Sequence, residues 1–178
     1  MGSTIVIDSS RIATSTTSAT NKIILFDSAV TSTGKGIDFS GYCIKRKIAL
    51  QITGTNVRLF ISTEYTNVKD IIPSDNVSLP VYGPTGIQVS PTWTGLWDGN
   101  IDKSFKEAGV LQGTTDPQRL SASTSSGNYD NTNNCNSWTA VSTSYRISSG
   151  DLSLTVSGWI VNSSITCNAA RSIICVAW

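Results

Sequence analysis

The chain has 178 residues, of which 39% are hydrophobic and 14% are charged, with a net charge of +1 and no histidine. This composition allows one domain with its own core, and the balanced charge leaves no field that would attract nucleic acid. The lack of histidine excludes Ser-His-Asp, Cys-His and His-zinc centres. We therefore predict a non-enzymatic protein without catalytic residues or a cofactor.

The N-terminal segment is polar and rich in serine and threonine. Residues 4–8, TIVID, alternate loosely as a strand would, and the tract SSRIATSTTSATN after them is typical of a linker. We assign residues 1–21 to a polar N-terminal strand or linker segment and residues 22–178 to the folded domain. No apolar run approaches the ~20 residues that span a bilayer, so we predict no direct membrane insertion.

A central strand and a short helix are predicted next. Residues 22–30, KIILFDSAV, form a compact apolar run that is typical of a buried strand. Apolar residues with helical offsets then predict a short helix that carries Cys43. The basic triplet Lys45-Arg46-Lys47 is either a solvated end of this helix or a patch for an anionic ligand.

The middle of the chain predicts turns and loops. Two β-like runs around Gly54-Thr55-Asn56 indicate a hairpin. Residues 67–76 indicate a second helical turn that is stopped by Pro73. Prolines and glycines between residues 77 and 91 are typical of a loop.

The C-terminal part combines a polar stretch with three predicted strands. Residues 121–138, SASTSSGNYDNTNNCNSW, carry almost no apolar side chain, so we expect no core there; loops of this length are usually functional or disordered. Strands are predicted within residues 139–149, 152–161 and 172–178. The fold class is therefore α+β, mostly β with few helices.

Large aromatic side chains on the predicted strands are expected to fill the core. Trp93, Trp138 and Trp159 are the candidates.

The four cysteines are Cys43, Cys135, Cys167 and Cys175. They form no Cys-x-x-Cys pair, so zinc-ribbon and redox motifs are not present. An even number of cysteines is typical of two disulfides in an oxidising compartment, and buried free thiols are the alternative.

The end of the chain resembles the C-terminal signature of the C-type-lectin fold. Trp159 is followed by Cys167 and Cys175, with Ile173-Ile174 before the last cysteine. Residues 92–99, TWTGLWDG, are similar to the Trp-Ile-Gly-Leu stretch of that family. The resemblance covers residues 22–178 and implies a C-type-lectin-like fold, mostly antiparallel β with one or two short helices and long loops. It also implies that Cys43 pairs with Cys175 and Cys135 with Cys167.

The sequence departs from the calcium-binding members of this family. No proline follows Pro117 and no glutamate follows Glu107, so the Glu-Pro-Asn or Gln-Pro-Asp triplet is missing. Residues 159–162, WIVN, hold the place of the Trp-Asn-Asp triplet. Because calcium needs several hard oxygen ligands, we predict no metal site.

Two groups with this fold and no calcium site resemble the chain more closely. They are the variable proteins of diversity-generating retroelements and the bacterial endostatin-like surface adhesins. The string GNYDNTNNCNS is what diversification of Asn codons would leave, although any β-rich surface loop uses the same residues. Aromatic side chains among small polar ones are also how antibody-like binding surfaces are built.

We therefore expect a ligand-binding face within residues 128–146. Tyr129, Tyr145 and Arg146 are the predicted anchors. The predicted polar contacts are Asn128, Asp130, Asn131, Asn133, Asn134, Ser142 and Ser144. The expected partner is a protein or glycan on another cell or host surface, met by a protein that is extracellular or displayed on a cell or virion. A fibre-tip or assembly module is the alternative of another class.

Overall fold

The computed structural model describes residues 21–32, 39–112 and 116–178. Within these residues the protein has a mixed α/β fold, mostly strands, with two short helices and two disulfides. The helices are α1 (Phe39–Ala49) and α2 (Cys135–Trp138). The strands are β1 (Ile23–Ser32), β2 (Val57–Leu59), β3 (Val81–Tyr82), β4 (Gln88–Ser90), β5 (Gln118–Leu120), β6 (Arg146–Asp151), β7 (Ser163–Thr166) and β8 (Arg171–Ala177). The strand and linker predicted within residues 1–20 lie outside the described residues.

Two sheets organise the described chain. The larger sheet has the strand order β2-β8-β1-β3-β4, and the smaller one has the order β5-β6-β7. The predicted central strand is confirmed as β1, which pairs antiparallel with β8 on one side and parallel with β3 on the other. The pairing of Ile24 with Ala177 brings the two ends of the domain side by side.

Helix α1 is confirmed and is covalently joined to the larger sheet. Its Cys43 forms a disulfide with Cys175 of β8, with a Cα–Cα distance of 5.7 Å. Both sulfurs lie in a small apolar cluster with Phe26 and Ala177, beneath the helix. No helix in the described part of the chain is long and apolar enough to span a membrane.

An aromatic cluster forms the main core between the larger sheet and the loops. Trp93 and Trp159 are almost fully buried, as predicted. Phe60 packs edge-on against Trp93 at 5.7 Å, and Phe105 lies 5.0 Å from Trp159, both between ring centroids. The indole N–H of Trp93 donates to the carbonyl of Lys69, so its polar atom is satisfied inside the core.

A second core lies under the smaller sheet. It surrounds the disulfide between Cys135 and Cys167, whose Cα atoms are 5.6 Å apart. Trp138 is buried in it, as predicted, and donates its indole N–H to the carbonyl of Ser62 at 2.9 Å. The structure thus contains both disulfides that the resemblance implies.

The predicted hairpin around residues 54–56 is wrong. Residues 50–53 form no strand, and β2 pairs instead with the C-terminal strand β8. Gly54 adopts a φ of +116°, and a side chain there would meet the backbone of Trp178 at 2.9 Å. The close approach of the chain end therefore determines this turn, because it needs both the open space and the backbone angle of glycine.

Three other predictions need correction. Residues 152–161 form a turn and a 3-10 helix at Ser157–Trp159 instead of a strand, because the backbone there lies directly against Gly150 of β6. The loop predicted for residues 77–91 contains β3 and β4. Within residues 139–149, only the part from Arg146 onward is a strand.

The helical turn predicted before Pro73 is present as a 3-10 helix at Val68–Asp70.

The polar stretch of residues 121–138 was expected to lie outside the core, and this expectation is wrong. Ala122 and Ser123 are fully buried, and the hydroxyl of Ser123 donates to that of Ser62 at 2.8 Å. Small hydroxyl side chains can be buried at little cost when each one finds a hydrogen-bond partner. This stretch therefore supports the smaller sheet.

Candidate functional site

The predicted binding segment runs along one edge of β6. Asn134 forms a β-bridge with Ile147, and the backbone N–H of Ser148 donates to the carbonyl of Asn133 at 3.0 Å. Since β7 occupies the other edge of β6, the segment continues the line of β5. The smaller sheet thus positions the segment at Asn133 and Asn134.

Helix α2 is a left-handed turn that anchors the segment. The φ angles of Cys135, Asn136, Ser137 and Trp138 are 55°, 52°, 52° and 63°. Left-handed backbone costs L-residues about 1–2 kcal/mol each. The disulfide to Cys167 and the buried indole of Trp138 compensate by fixing both ends of the turn.

Asp130 organises the segment before α2. Its carboxylate accepts hydrogen bonds from the backbone N–H of Thr132 at 2.9 Å and of Asn133 at 3.0 Å, and from the hydroxyl of Ser148. Burial of the carboxyl raises its pKa, but these hydrogen bonds together outweigh burial and hold the pKa of Asp130 below its ordinary value. The negative charge of Asp130 is therefore stabilised by hydrogen bonds from the protein itself.

Two of the predicted polar contacts are also used internally. The buried Asn134 accepts from the backbone N–H of Ser137 at 2.9 Å and donates to the carbonyl of Asp130 at 2.8 Å. Asn133 donates its side-chain amide to the Asp130 carboxylate at 3.2 Å. Both amides therefore maintain the loop, and Asn134 also caps α2.

Tyr129 and Asn128 are half-buried. The ring of Tyr129 packs against the second core, its hydroxyl lies 3.0 Å from that of Ser137, and its N–H donates to Asn67. Asn128 donates its side-chain amide to the hydroxyl of Ser126 at 3.1 Å. Tyr129 is consequently a link between the segment and the chain some sixty residues earlier.

The outward side chains lie mainly at the start of β6. Tyr145 is 47% exposed, while its carbonyl accepts from the N–H of Cys167 at 3.0 Å. Arg146 is exposed and donates its Nε–H to the hydroxyl of Ser164 on β7 at 2.8 Å. Ser142 is half-buried, and its hydroxyl accepts from the N–H of the exposed Ser144 at 3.0 Å.

The ten predicted residues thus divide into two groups. Six are half-buried or buried and mostly hydrogen-bonded within the protein: Asn128, Tyr129, Asp130, Asn133, Asn134 and Ser142. Four are exposed, and we call them the recognition face: Asn131, Ser144, Tyr145 and Arg146. Among the described residues, no three His, Cys, Asp or Glu side chains come together as a possible metal site.

A groove of 730 Å³ that was not predicted from the sequence lies elsewhere, between α1 and β2. Ile44 and Ile48 of α1 line one side and are 50% and 70% exposed. Two isoleucines four positions apart on a helix share one face, beside the basic triplet. That pattern was the available sign of an apolar surface, but a helix that packs on a sheet has the same spacing.

Comparison with known proteins adds no relative, because neither a protein-family model nor a curated protein matches the sequence.

Proposed function

We propose that the protein is a non-enzymatic recognition protein of the kind encoded with diversity-generating retroelements. It binds a protein or glycan on another cell or host surface through the recognition face. The scaffold is a C-type-lectin-like fold, and the protein acts outside the cell, on a cell surface or on a virion.

One observation carries this proposal: exposed aromatic and cationic side chains project from backbone that is fixed. Arg146 is the first residue of β6 and Tyr145 directly precedes it, and the backbone N–H of Cys167, one half of a disulfide, donates to the carbonyl of Tyr145. Binding of a ligand to these side chains costs little backbone entropy, because the backbone of this surface is already fixed. Rigid aromatic anchors beside small polar residues are the arrangement used by antibody-like binding surfaces.

The architecture supports the proposed scaffold. The last strand, β8, lies beside the first, β1, and the disulfide between Cys43 and Cys175 joins α1 to β8. The other disulfide fixes the polar stretch of the C-terminal half. Such a frame leaves the loops free to change sequence, which both a variable retroelement protein and a surface adhesin need.

A binding screen tests the proposal. The wild-type protein and a Tyr145→Ala/Arg146→Ala variant are applied to arrays of glycans and of cell-surface and matrix proteins. Loss of a hot-spot aromatic and its neighbouring arginine should weaken any specific binding by at least about tenfold. A Tyr42→Ala/Lys45→Ala variant is the matched control, because Tyr42 is 45% exposed on α1, away from this face.

Equal binding by the wild type and the Tyr145/Arg146 variant would reject the recognition face as the site. A second measurement separates recognition from assembly. If the wild type forms oligomers and only the Tyr145/Arg146 variant is a monomer in sedimentation, the face is an assembly contact, as in a fibre-tip module. Sibling sequences in which variation is confined to Asn codons would favour the retroelement type over an adhesin.

A further inference from the structure

One side of the groove between α1 and β2 is formed by an edge of the larger sheet. β2 lies at the edge of the larger sheet, and among the described residues it has a strand neighbour on one side only. Val57, Leu59 and Ile61 line the groove together with the two isoleucines of α1. An unpaired edge strand beside an apolar surface is the arrangement that captures extended peptides.

The direction of the backbone groups in β2 follows from its register. Asn56 and Trp178 exchange two backbone hydrogen bonds, at 3.1 and 3.2 Å, and the N–H of Phe60 donates to Ile174 at 2.9 Å. In an antiparallel pair the bonded positions alternate, so residues 56, 58 and 60 face β8. The N–H and C=O groups of Val57 and Leu59 therefore point outward, and no described residue bonds to them.

The two faces of β2 differ in chemistry. Val57 and Leu59 pack beside the cluster under α1. Arg58 lies between them in the strand and is exposed, so its side chain leaves on the opposite face. A strand added to this edge would alternate in the same way, with one set of side chains toward Ile44 and Ile48 and the other toward Arg58.

The charge of the groove selects among extended segments. Lys47 and Arg58 are among the lining residues, and no carboxylate from the described part of the chain lines the groove. Arg46 and Lys47 also occupy the last turn of α1. A segment that places apolar side chains toward α1 and acidic ones toward Arg58 would match both the shape and the sign of the charge.

We propose that this groove binds an extended acidic peptide segment of a partner protein, which adds to the edge of β2 as a further strand. Backbone hydrogen bonds to Val57 and Leu59 provide the attachment, and the alternation of apolar and acidic residues provides the selectivity. This site is separate from the recognition face. A partner bound in the groove would leave the recognition face available for its ligand.

Fluorescence anisotropy with a labelled peptide of alternating valine and aspartate tests the proposal on the full chain. The wild type should bind this peptide at least about tenfold more tightly than a peptide of the same composition with its valines and aspartates in separate blocks. It should also prefer the aspartate peptide to one that alternates valine and lysine. Equal binding of the three peptides would overturn the proposal.

Three variants locate the contact. Ile48→Glu places a charge in the apolar side, and Arg58→Glu should reverse the preference from the aspartate peptide to the lysine peptide. Val57→Pro removes an outward N–H without removing a bond to β8, since proline is tolerated on edge strands. Each should weaken binding of the aspartate peptide by about tenfold. Val156→Glu is the matched control, because Val156 is 53% exposed outside the groove and its variant should bind as the wild type does.

Other occupants give different results. If Ile48→Glu weakens binding but a folded Val57→Pro variant does not, the groove binds without strand addition and the proposal is wrong. The groove is a contact between two copies of the chain if three results are found together. The wild type self-associates in sedimentation, the Ile48→Glu variant is a monomer, and the peptide does not compete with self-association. If the full chain binds the peptide only after Ile5→Asp and Ile7→Asp substitution, the N-terminal segment of the same chain is the occupant.

Discussion

At the scale of single residues, Asp130 connects pH to the integrity of the binding segment. Its folded-state pKa lies below its ordinary value because three neighbours donate hydrogen bonds to the carboxylate. Such a group stabilises the fold above its unfolded pKa of about 3.9, and this stabilisation is lost as the pH falls through the lower folded value. We therefore expect Asp130→Asn to destabilise the protein above pH ~5, and we expect this difference to shrink as the pH falls through the lower folded value.

Urea unfolding of wild type and Asp130→Asn across this pH range measures the effect. Asp75→Asn is the control, because Asp75 is exposed in the 3-10 helix at Ser74–Asn76. A constant difference between wild type and Asp130→Asn at every pH would show that the charge of Asp130 contributes nothing.

The role of individual polar residues could not be predicted from the sequence. The polar stretch predicts Tyr129 and Asn134 as ligand contacts, yet both are held by internal hydrogen bonds. The partner of the Tyr129 N–H is Asn67, far away in the chain. Local pattern carries no information on such a pair, whereas the burial of Trp93 and Trp159 followed from side-chain size alone.

At the scale of elements, a buried ion pair joins the two sheets. Asp27 of β1 accepts from the Nε–H of Arg119 of β5 at 2.7 Å, and both side chains are almost fully buried. Removing one partner of such a pair leaves an uncompensated buried charge, which costs about 3–5 kcal/mol. We expect Arg119→Met to lower the free energy of unfolding by about this amount, and Asp27→Asn/Arg119→Met to recover much of it.

Urea unfolding of both variants measures this coupling. The exposed pair Lys103–Glu107, with 3.7 Å between Nζ and Oε1, is the comparison. Lys103→Met should change stability by less than about 1 kcal/mol, as surface ion pairs do. If the Asp27→Asn/Arg119→Met protein is no more stable than Arg119→Met, the ion pair does not couple the sheets.

The strands β1 and β8 and the helix α1 were predicted from local pattern, whereas the pairing of strands that are far apart in the chain was not. β1 and α1 were predicted because an apolar run and a helical spacing are visible in a single stretch. The predicted hairpin at residues 54–56 failed because β2 pairs with β8 at the far end of the chain. The edge position of β2 and the groove beside it were not predicted either, because both depend on the same distant pairing.

At the scale of the whole molecule, the two disulfides close loops of very different size. Cys43 and Cys175 are separated by 132 positions, and Cys135 and Cys167 by 32. On the chain-entropy model, loops of these sizes correspond to about 5 and about 4 kcal/mol of stabilisation. The resemblance implied both pairings, whereas cysteine count alone left the connectivity open.

The disulfide of the shorter loop also holds the left-handed turn α2 in place. Replacing Cys135 and Cys167 by alanine lets that turn relax, and the relief of backbone strain offsets part of the lost stabilisation. We expect Cys43→Ala/Cys175→Ala to lower the free energy of unfolding more than Cys135→Ala/Cys167→Ala does, as measured by urea unfolding. Binding at the recognition face should show the opposite order, since only the second pair fixes the backbone near Tyr145. A Cys135→Ala/Cys167→Ala protein that binds as tightly as wild type would mean that the rigidity of this segment is unrelated to recognition.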